Sequence, residues 1–275
     1  MSSTAAATPS ARDERPAGRP RPVVSCRGVA KLFSNGTLAL QNVDLDIGRH
    51  QFLSLLGPSG CGKSTLLRLI AGLGEPSAGM IDWPADREGA DHALSFVFQE
   101  PTLMPWASAI KNAMLPLKIA GVGSEEARGR AADALRMVGL SAFENAYPRE
   151  LSGGMKMRVS IARALVTKPQ VLLMDEPFAA LDEITRFKLN NDLLQLWQDS
   201  SFTVVFVTHS VFESVFLSER IVVMAARPGR IIEDIDVAAP YPRGNDYRTS
   251  PIYNEHCRRA SAALESAMTH HAHHG

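Results

Sequence analysis

The chain has 275 residues, enough for one large domain or two small ones, and its 45% hydrophobic content supports a sizeable core and excludes global disorder. Its 29 basic and 29 acidic residues cancel, which argues against a nucleic-acid partner, because such partners select a basic excess. The three cysteines, Cys26, Cys61 and Cys257, are too widely spaced for a disulfide framework and fit a reducing compartment. No apolar run reaches the roughly 18 to 20 residues that a spanning helix needs.

Residues 1–22 are rich in Ala, Pro, Ser and Arg and lack the apolar segment of a secretory signal. They are expected to form a disordered leader to a cytoplasmic protein that reaches any membrane through a partner. From Val23 to Ile47 an alternating, β-branched pattern, broken by Ser34-Asn35-Gly36, predicts antiparallel strands. A strand over 51–56, a glycine loop and a helix ending near Gly72 come next, then a buried strand over 94–99 that ends on Gln99.

Residues 106–165 change character and predict helices, the second behind Ser124 as N-cap and the third behind Ser152. Strand–helix alternation returns after Pro169: VLLMDE, then a long helix from Asp182, then TVVFVTH and the helix SVFESVFLS. A strand pair around Pro228-Gly229 closes the pattern. The order predicts an α/β fold with a parallel buried sheet and a helical insert. The His-rich end HHAHHG is either a weak metal binder or a solvated terminus.

Three segments carry chemistry. Gly57-Pro58-Ser59-Gly60-Cys61-Gly62-Lys63-Ser64 fits G-x-x-x-x-G-K-[ST] in full, between a predicted strand and a predicted helix. Glycines let backbone N–H groups form an anion nest, and the helix dipole adds positive potential. Lys63 is expected to reach the β- and γ-phosphates, Ser64 to ligate magnesium, and Thr65 to assist at the α-phosphate. The second segment, Val171–Pro177, ends an apolar strand in Asp175 and Glu176, at the strand edge where α/β sheets bind ligands. Asp175 would hold the magnesium water shell and Glu176 would polarise the attacking water. Adjacent strand residues face opposite ways, so this division of labour requires a bend at the strand end. In the third segment, Leu151-Ser152-Gly153-Gly154, a capping hydroxyl and bare N–H groups form a second anion site or an ordinary helix cap.

With these motifs in this order, the chain resembles the ATP-binding subunit of an ABC transporter from about Val23 to Ile235. The resemblance implies a phosphate-loop NTPase (RecA-like) core with an antiparallel β subdomain and an inserted α-helical subdomain. The implied domains are an ABC ATPase domain over 23–240, with the helical part at about 100–165, and an extension over 241–275. It makes Gln99 a nucleotide-sensing contact to magnesium and water, Ser152, Gly153 and Gly154 a signature acting in trans, Asp182 part of an inter-subunit loop, and His209 a γ-phosphate contact. Phe33 stands where the family stacks an aromatic on adenine; a core aromatic is the lesser alternative. The implied ligands are ATP and Mg²⁺.

The implied partners are a second ATPase subunit, integral membrane permease subunits and, indirectly, an extracytoplasmic solute-binding protein, with the chain on the cytoplasmic face of the inner membrane. One phosphate loop beside a signature with no use in its own site also argues for two copies. Met155, where the wider family often has Gln, the segment Glu100–Trp106 and the endings at 226–237 and 248–260 resemble the nitrate, sulfonate and taurine importer subgroup. Leu103, Met104 and Trp106 are either a docking groove for a short partner helix or plain core. A soluble ABC-type ATPase acting on nucleic acid or ribosomes is the competing reading; it lacks the second ATPase domain, long coiled coil or basic surface usual there. A phosphate-loop kinase leaves the signature and His209 without a role.

Overall fold

The computed structural model describes residues 22–83 and 94–269. The expected leader, apart from Pro22, and the His-rich end lie outside the described residues.

Strands β1 (Pro22–Leu32) and β2 (Leu38–Gly48) form the expected antiparallel pair, and β4 (Ala78–Asp82) joins the other edge of β1. Between β2 and β4 run β3 (Phe52–Leu56) and helix α1 (Lys63–Ile70). The chain continues through β5 (Leu94–Val97) into three helices: α2 (Ala109–Ile119), α3 (Ser124–Met137) and α4 (Gly153–Leu165). Then β6 (Val171–Asp175), α5 (Glu183–Gln198), β7 (Thr203–Thr208) and α6 (Val211–Leu217) restore the α/β pattern. Strands β8 (Arg220–Ala225) and β9 (Arg230–Asp236) form an antiparallel hairpin, and α7 (Asn245–Arg248) and α8 (Pro251–Thr269) end the described chain.

The second sheet has the order β5-β6-β7-β3-β8-β9, parallel except at its last pair. Its central strands are buried on both faces, as continuous apolar runs require. Leu53, Leu55, Leu173, Val205 and Val222 pack toward α1 and the antiparallel sheet. Phe52, Leu172, Met174, Val204 and Phe206 alternate with them and pack toward the helices. Phe52 meets Trp197 edge-on at 5.6 Å and Phe206 at 6.1 Å.

Two expectations need correction. The strand predicted over 94–99 stops at Val97, because Phe98 and Gln99 leave the ladder to enter the insert; Gln99 is exposed in the bend that follows. Ser124 is the first helical residue of α3 rather than its cap, a position held by Gly123. The helix register follows the buried face of Ala127, Ala131, Ala134 and Leu135, and that face leaves Ser124 inside the helix.

Arg220 joins the two sheets. It is 4% exposed, grips both carboxylate oxygens of Asp234 at 2.7 Å, and donates to the carbonyl of Asp46 on β2 at 2.6 Å. Arg220→Met keeps the aliphatic stem and removes both guanidinium bonds to Asp234, whose side chain is a third exposed. Breaking a buried pair costs about 3–5 kcal/mol, and the exposure of Asp234 reduces this to about 2–3 kcal/mol. Urea denaturation of the two proteins measures the difference.

Candidate functional site

The phosphate loop connects the end of β3 to α1. Gly62 has φ +94°, and a Cβ there would stand 2.9 Å from the carbonyl of Ala39 and 2.7 Å from Leu40. Only glycine allows the turn that starts α1 under the antiparallel sheet. Lys63 is 4% exposed; its Nζ donates to the carbonyls of Gly57 at 2.8 Å and Pro58 at 3.0 Å. Cys61 is a buried wall of the loop, and desolvation raises its thiol pKa, so the sulfur serves as a small apolar filler.

The acids at the end of β6 separate as the sequence requires. Asp175, last in the strand, accepts the Ser64 hydroxyl at 2.6 Å. Glu176 turns away with φ +45°, its N–H donating to Val207 on β7 at 3.1 Å. Its two carboxylate oxygens stand 3.6 Å from Lys63 Nζ and 3.3 Å from His209 Nδ1. Lys63, Glu176 and His209 therefore form one continuous polar row across the ends of β3, β6 and β7. Burial raises the Asp175 carboxyl pKa, and the Ser64 hydroxyl opposes that shift.

This donor set fits magnesium. A hydroxyl and a carboxylate in contact are hard oxygen donors, and magnesium typically takes one or two carboxylates together with phosphate oxygens. Among the described residues no cluster of three His, Cys, Asp or Glu forms an all-protein metal cage.

The signature lies apart from this row. Ser152 caps α4, accepting the Met155 N–H at 3.2 Å, and is exposed with Gly153. A Cβ on Gly154 would come within 2.6 Å of Thr185, and one on Gly153 within 3.3 Å of Leu181. The signature and the loop at 180–182 are thus one packed surface. Asp182 caps α5 through the Thr185 N–H at 2.9 Å, and that bond lowers its pKa. Phe33 is 43% exposed in the turn after β1, with Lys31 Nζ 5.7 Å from its ring centre, and so is not a core aromatic.

Trp106 is 77% exposed while Leu103 packs against the core, so of the alternatives for this segment the tryptophan is not core. Sequence reasoning missed what holds the segment. Arg163 on α4 donates to the carbonyls of Pro101 at 2.8 Å and Thr102 at 2.9 Å. Asn112, fully buried on α2, binds the N–H of Met104 at 2.8 Å and the carbonyls of Met104, Ala107 and Ser108. The Asn in SAIKN was the available signal, a polar residue on an apolar helix face.

A glycine loop between β3 and the first helix of a parallel sheet, with an acid pair at the end of β6, two places away in the sheet, defines a phosphate-loop nucleoside triphosphatase. Residues 40–179 match the family model described as ABC transporter. The chain is 46% identical over 246 residues to an uncharacterized ABC transporter ATP-binding protein of Methanocaldococcus jannaschii, covering 87% of this chain and 90% of that one. It is 44% identical over 236 residues to a taurine import ATP-binding protein of Rhizobium johnstonii, covering 83% and 89%. Among solved structures, a Clostridium perfringens protein, part of the ABC transporter complex cbiONQ, superposes with TM-score 0.70 at 28% identity over 78% of this chain and 89% of that one. A dimeric ATP-binding cassette in a post-hydrolysis state bound to ADP and Pi gives 0.68 at 34% identity, over 79% and 100%. The chain belongs to the ABC transporter family and is an ATP-hydrolysing subunit of it.

Replacing Lys63 with Ala removes a charge-assisted contact worth about 1.5–3 kcal/mol, and ATP affinity is expected to fall about 10- to 100-fold. Equilibrium titration with a fluorescent ATP analogue reads this directly; unchanged affinity would remove Lys63 from the nucleotide site.

Proposed function

We propose that the protein energises import of a nitrate-, sulfonate- or taurine-like or related small organic solute, working as a homodimer beneath a membrane permease. The observation that carries the reading is the complete row from Lys63 through Glu176 to His209, in a chain whose relatives include taurine and aliphatic sulfonate import ATP-binding proteins. The helices of the described residues are too short or too polar to cross a membrane, so the permease is a separate chain in this reading.

In this proposal Phe33 stacks on adenine, and Gly57 to Thr65 hold the phosphates. Ser64, Asp175 and Gln99 hold magnesium, which supplies charge neutralisation at the phosphate oxygens. Glu176 accepts a proton from the attacking water, and His209 keeps that carboxylate oriented and contacts the γ-phosphate. Lys63 and, from the partner copy, the signature amides spread the charge that develops on the transferred group. The composite surface of signature and inter-subunit loop suits a two-fold dimer in which each copy completes the other's site. Trp106, presented on a rigid base by Arg163 and Asn112, suits a short helix of the permease. An extracytoplasmic solute-binding protein would deliver the solute, and the balanced charge gives nucleic acid no foothold.

Glu176→Gln is expected to bind ATP, to hydrolyse it about 10²- to 10⁴-fold more slowly, and to accumulate as a dimer by light scattering. Rapid turnover by that variant removes Glu176 as the base. The same variant, used as bait in solubilised host membranes with ATP and magnesium, should recover an integral membrane protein in near-stoichiometric amount. Adding Trp106→Ala should reduce that recovery. Ribosomal or DNA-bound proteins in its place would favour the soluble ATPase.

A further inference from the structure

Beside the row of Lys63, Glu176 and His209, a cavity of ≈ 10 Å³ lies between Glu176, Arg186, Thr208, His209 and Glu213. We propose, on the reading that His209 contacts the γ-phosphate, that Arg186 and Glu213 are positioning residues for that histidine. One water in the cavity bridges the pair, and the pair ties His209 to the loop at 180–182.

The histidine needs such support. Its side chain is half exposed where it meets Glu176, so the backbone that carries it must aim the ring. A closed set of hydrogen bonds surrounds that backbone. Glu213 is 7% exposed, and its Oε2 accepts the Thr208 hydroxyl at 2.6 Å. The same Thr208 oxygen accepts the N–H of Ser210 at 3.0 Å, and Ser210 Oγ accepts the N–H of Glu213 at 3.3 Å. Thr208 ends β7 and Ser210 caps α6, so both chain neighbours of His209 are fastened to Glu213.

The other oxygen of Glu213 identifies its partner. Glu213 Oε1 and Arg186 Nε are both buried, and neither has a hydrogen-bond partner among the described residues. They stand 3.7 Å apart, too far for a direct bond and close enough for one water to touch both. That water accepts from Nε and donates to Oε1, so a buried donor and a buried acceptor are satisfied together. A cavity of ≈ 10 Å³ holds about one water, and Phe178, Ala179 and Phe206 complete its wall. Arg248, in the C-terminal segment, also acts on the Glu213 carboxylate through its charge.

Arg186 carries the contacts on to the loop. Its Nη2 donates to the Leu181 carbonyl at 3.0 Å, and its backbone N–H to the Asp182 carbonyl at 2.9 Å. Leu181 in turn lies against Gly153 of the signature, where a Cβ would meet it at 3.3 Å. A continuous run therefore leads from the signature through Leu181, Arg186, the water, Glu213 and Thr208 to His209. A shift of the loop at 180–182 displaces the Glu213 carboxylate and with it the imidazole.

The test uses the full chain, with ATPase kinetics in magnesium and NMR of isotope-labelled histidine rings. The His209 ring signal is the one that disappears in His209→Ala. Thr208→Val and Glu213→Met should each lower kcat about tenfold or more and leave KM for ATP within about threefold, because they misplace a group used in the transition state. Both should also displace or broaden the His209 signal, and Arg186→Gln should do the same. Thr208→Ser keeps the hydroxyl and should hold kcat within about twofold of the parent, with the signal in place. A crystal structure of the full chain should place one water within hydrogen-bond distance of both Arg186 Nε and Glu213 Oε1; direct contact between those atoms, or a dry cavity, overturns the bridge. Parental kcat in Thr208→Val or Glu213→Met, or a fall in kcat with the His209 signal unmoved, overturns the positioning role. Turnover at the parental rate by His209→Ala instead removes the reading of His209 on which that role rests.

Discussion

One hydrogen bond, from the N–H of Glu176 to the carbonyl of Val207, fixes the geometry on which the candidate site depends. It holds a non-glycine residue at φ +45°, a conformation that persists only where its surroundings enforce it. Without that turn, β6 would continue and its two terminal acids would face opposite sides of the sheet. With it, Asp175 meets Ser64 and Glu176 meets Lys63 and His209. The enforcing element is the parallel register that pairs Asp175 with Val207 and Leu56 with Thr208. The site therefore inherits its precision from strands buried on both faces.

The sequence made the phosphate loop, the acid pair and the parallel core legible, because anion nests and doubly buried strands permit few residue types at fixed spacing. The bend at Glu176 was legible too, since two adjacent acids on a strand need one. Strand β4 was not: four of its five residues are exposed, so it carries no burial alternation. The end of β5 and the start of α3 were misplaced by one or two residues, where tertiary packing outweighs local preference. Arg163, Arg220 and Arg243 were invisible because each binds partners far along the chain and leaves no periodic trace. Helix α8 was passed over as tail; its buried Tyr253, Cys257, Ala260 and Ala267 show the spacing of an amphipathic helix.

On the proposed reading, the insert and the signature illustrate a common solution to a conflict. A surface meant for another molecule cannot be buried in its own chain, yet must be held still. Around Trp106 the fixing comes from Arg163 and Asn112, which bind backbone rather than side chains. At the signature it comes from Gly154 lying against Thr185, an approach that any Cβ would forbid. In both places the exposed face stays free because rigidity is supplied from behind.

Arg243 has a further consequence. It is 5% exposed and its guanidinium donates to five carbonyls: Val215, Phe216, Ser218, Val237 and Ala239. Tyr241 and Tyr247 lie 4.1 and 5.0 Å from its charge centre. Those five acceptors belong to α6, the turn after it and the strand exit beyond β9, so they are released together or not at all. The stretch from Tyr241 to the end of α8 should thus open as a single cooperative unit, with amides of α6 sharing its exchange lifetime. Thermal fraying of α8 is in this way transmitted to the helix that follows His209.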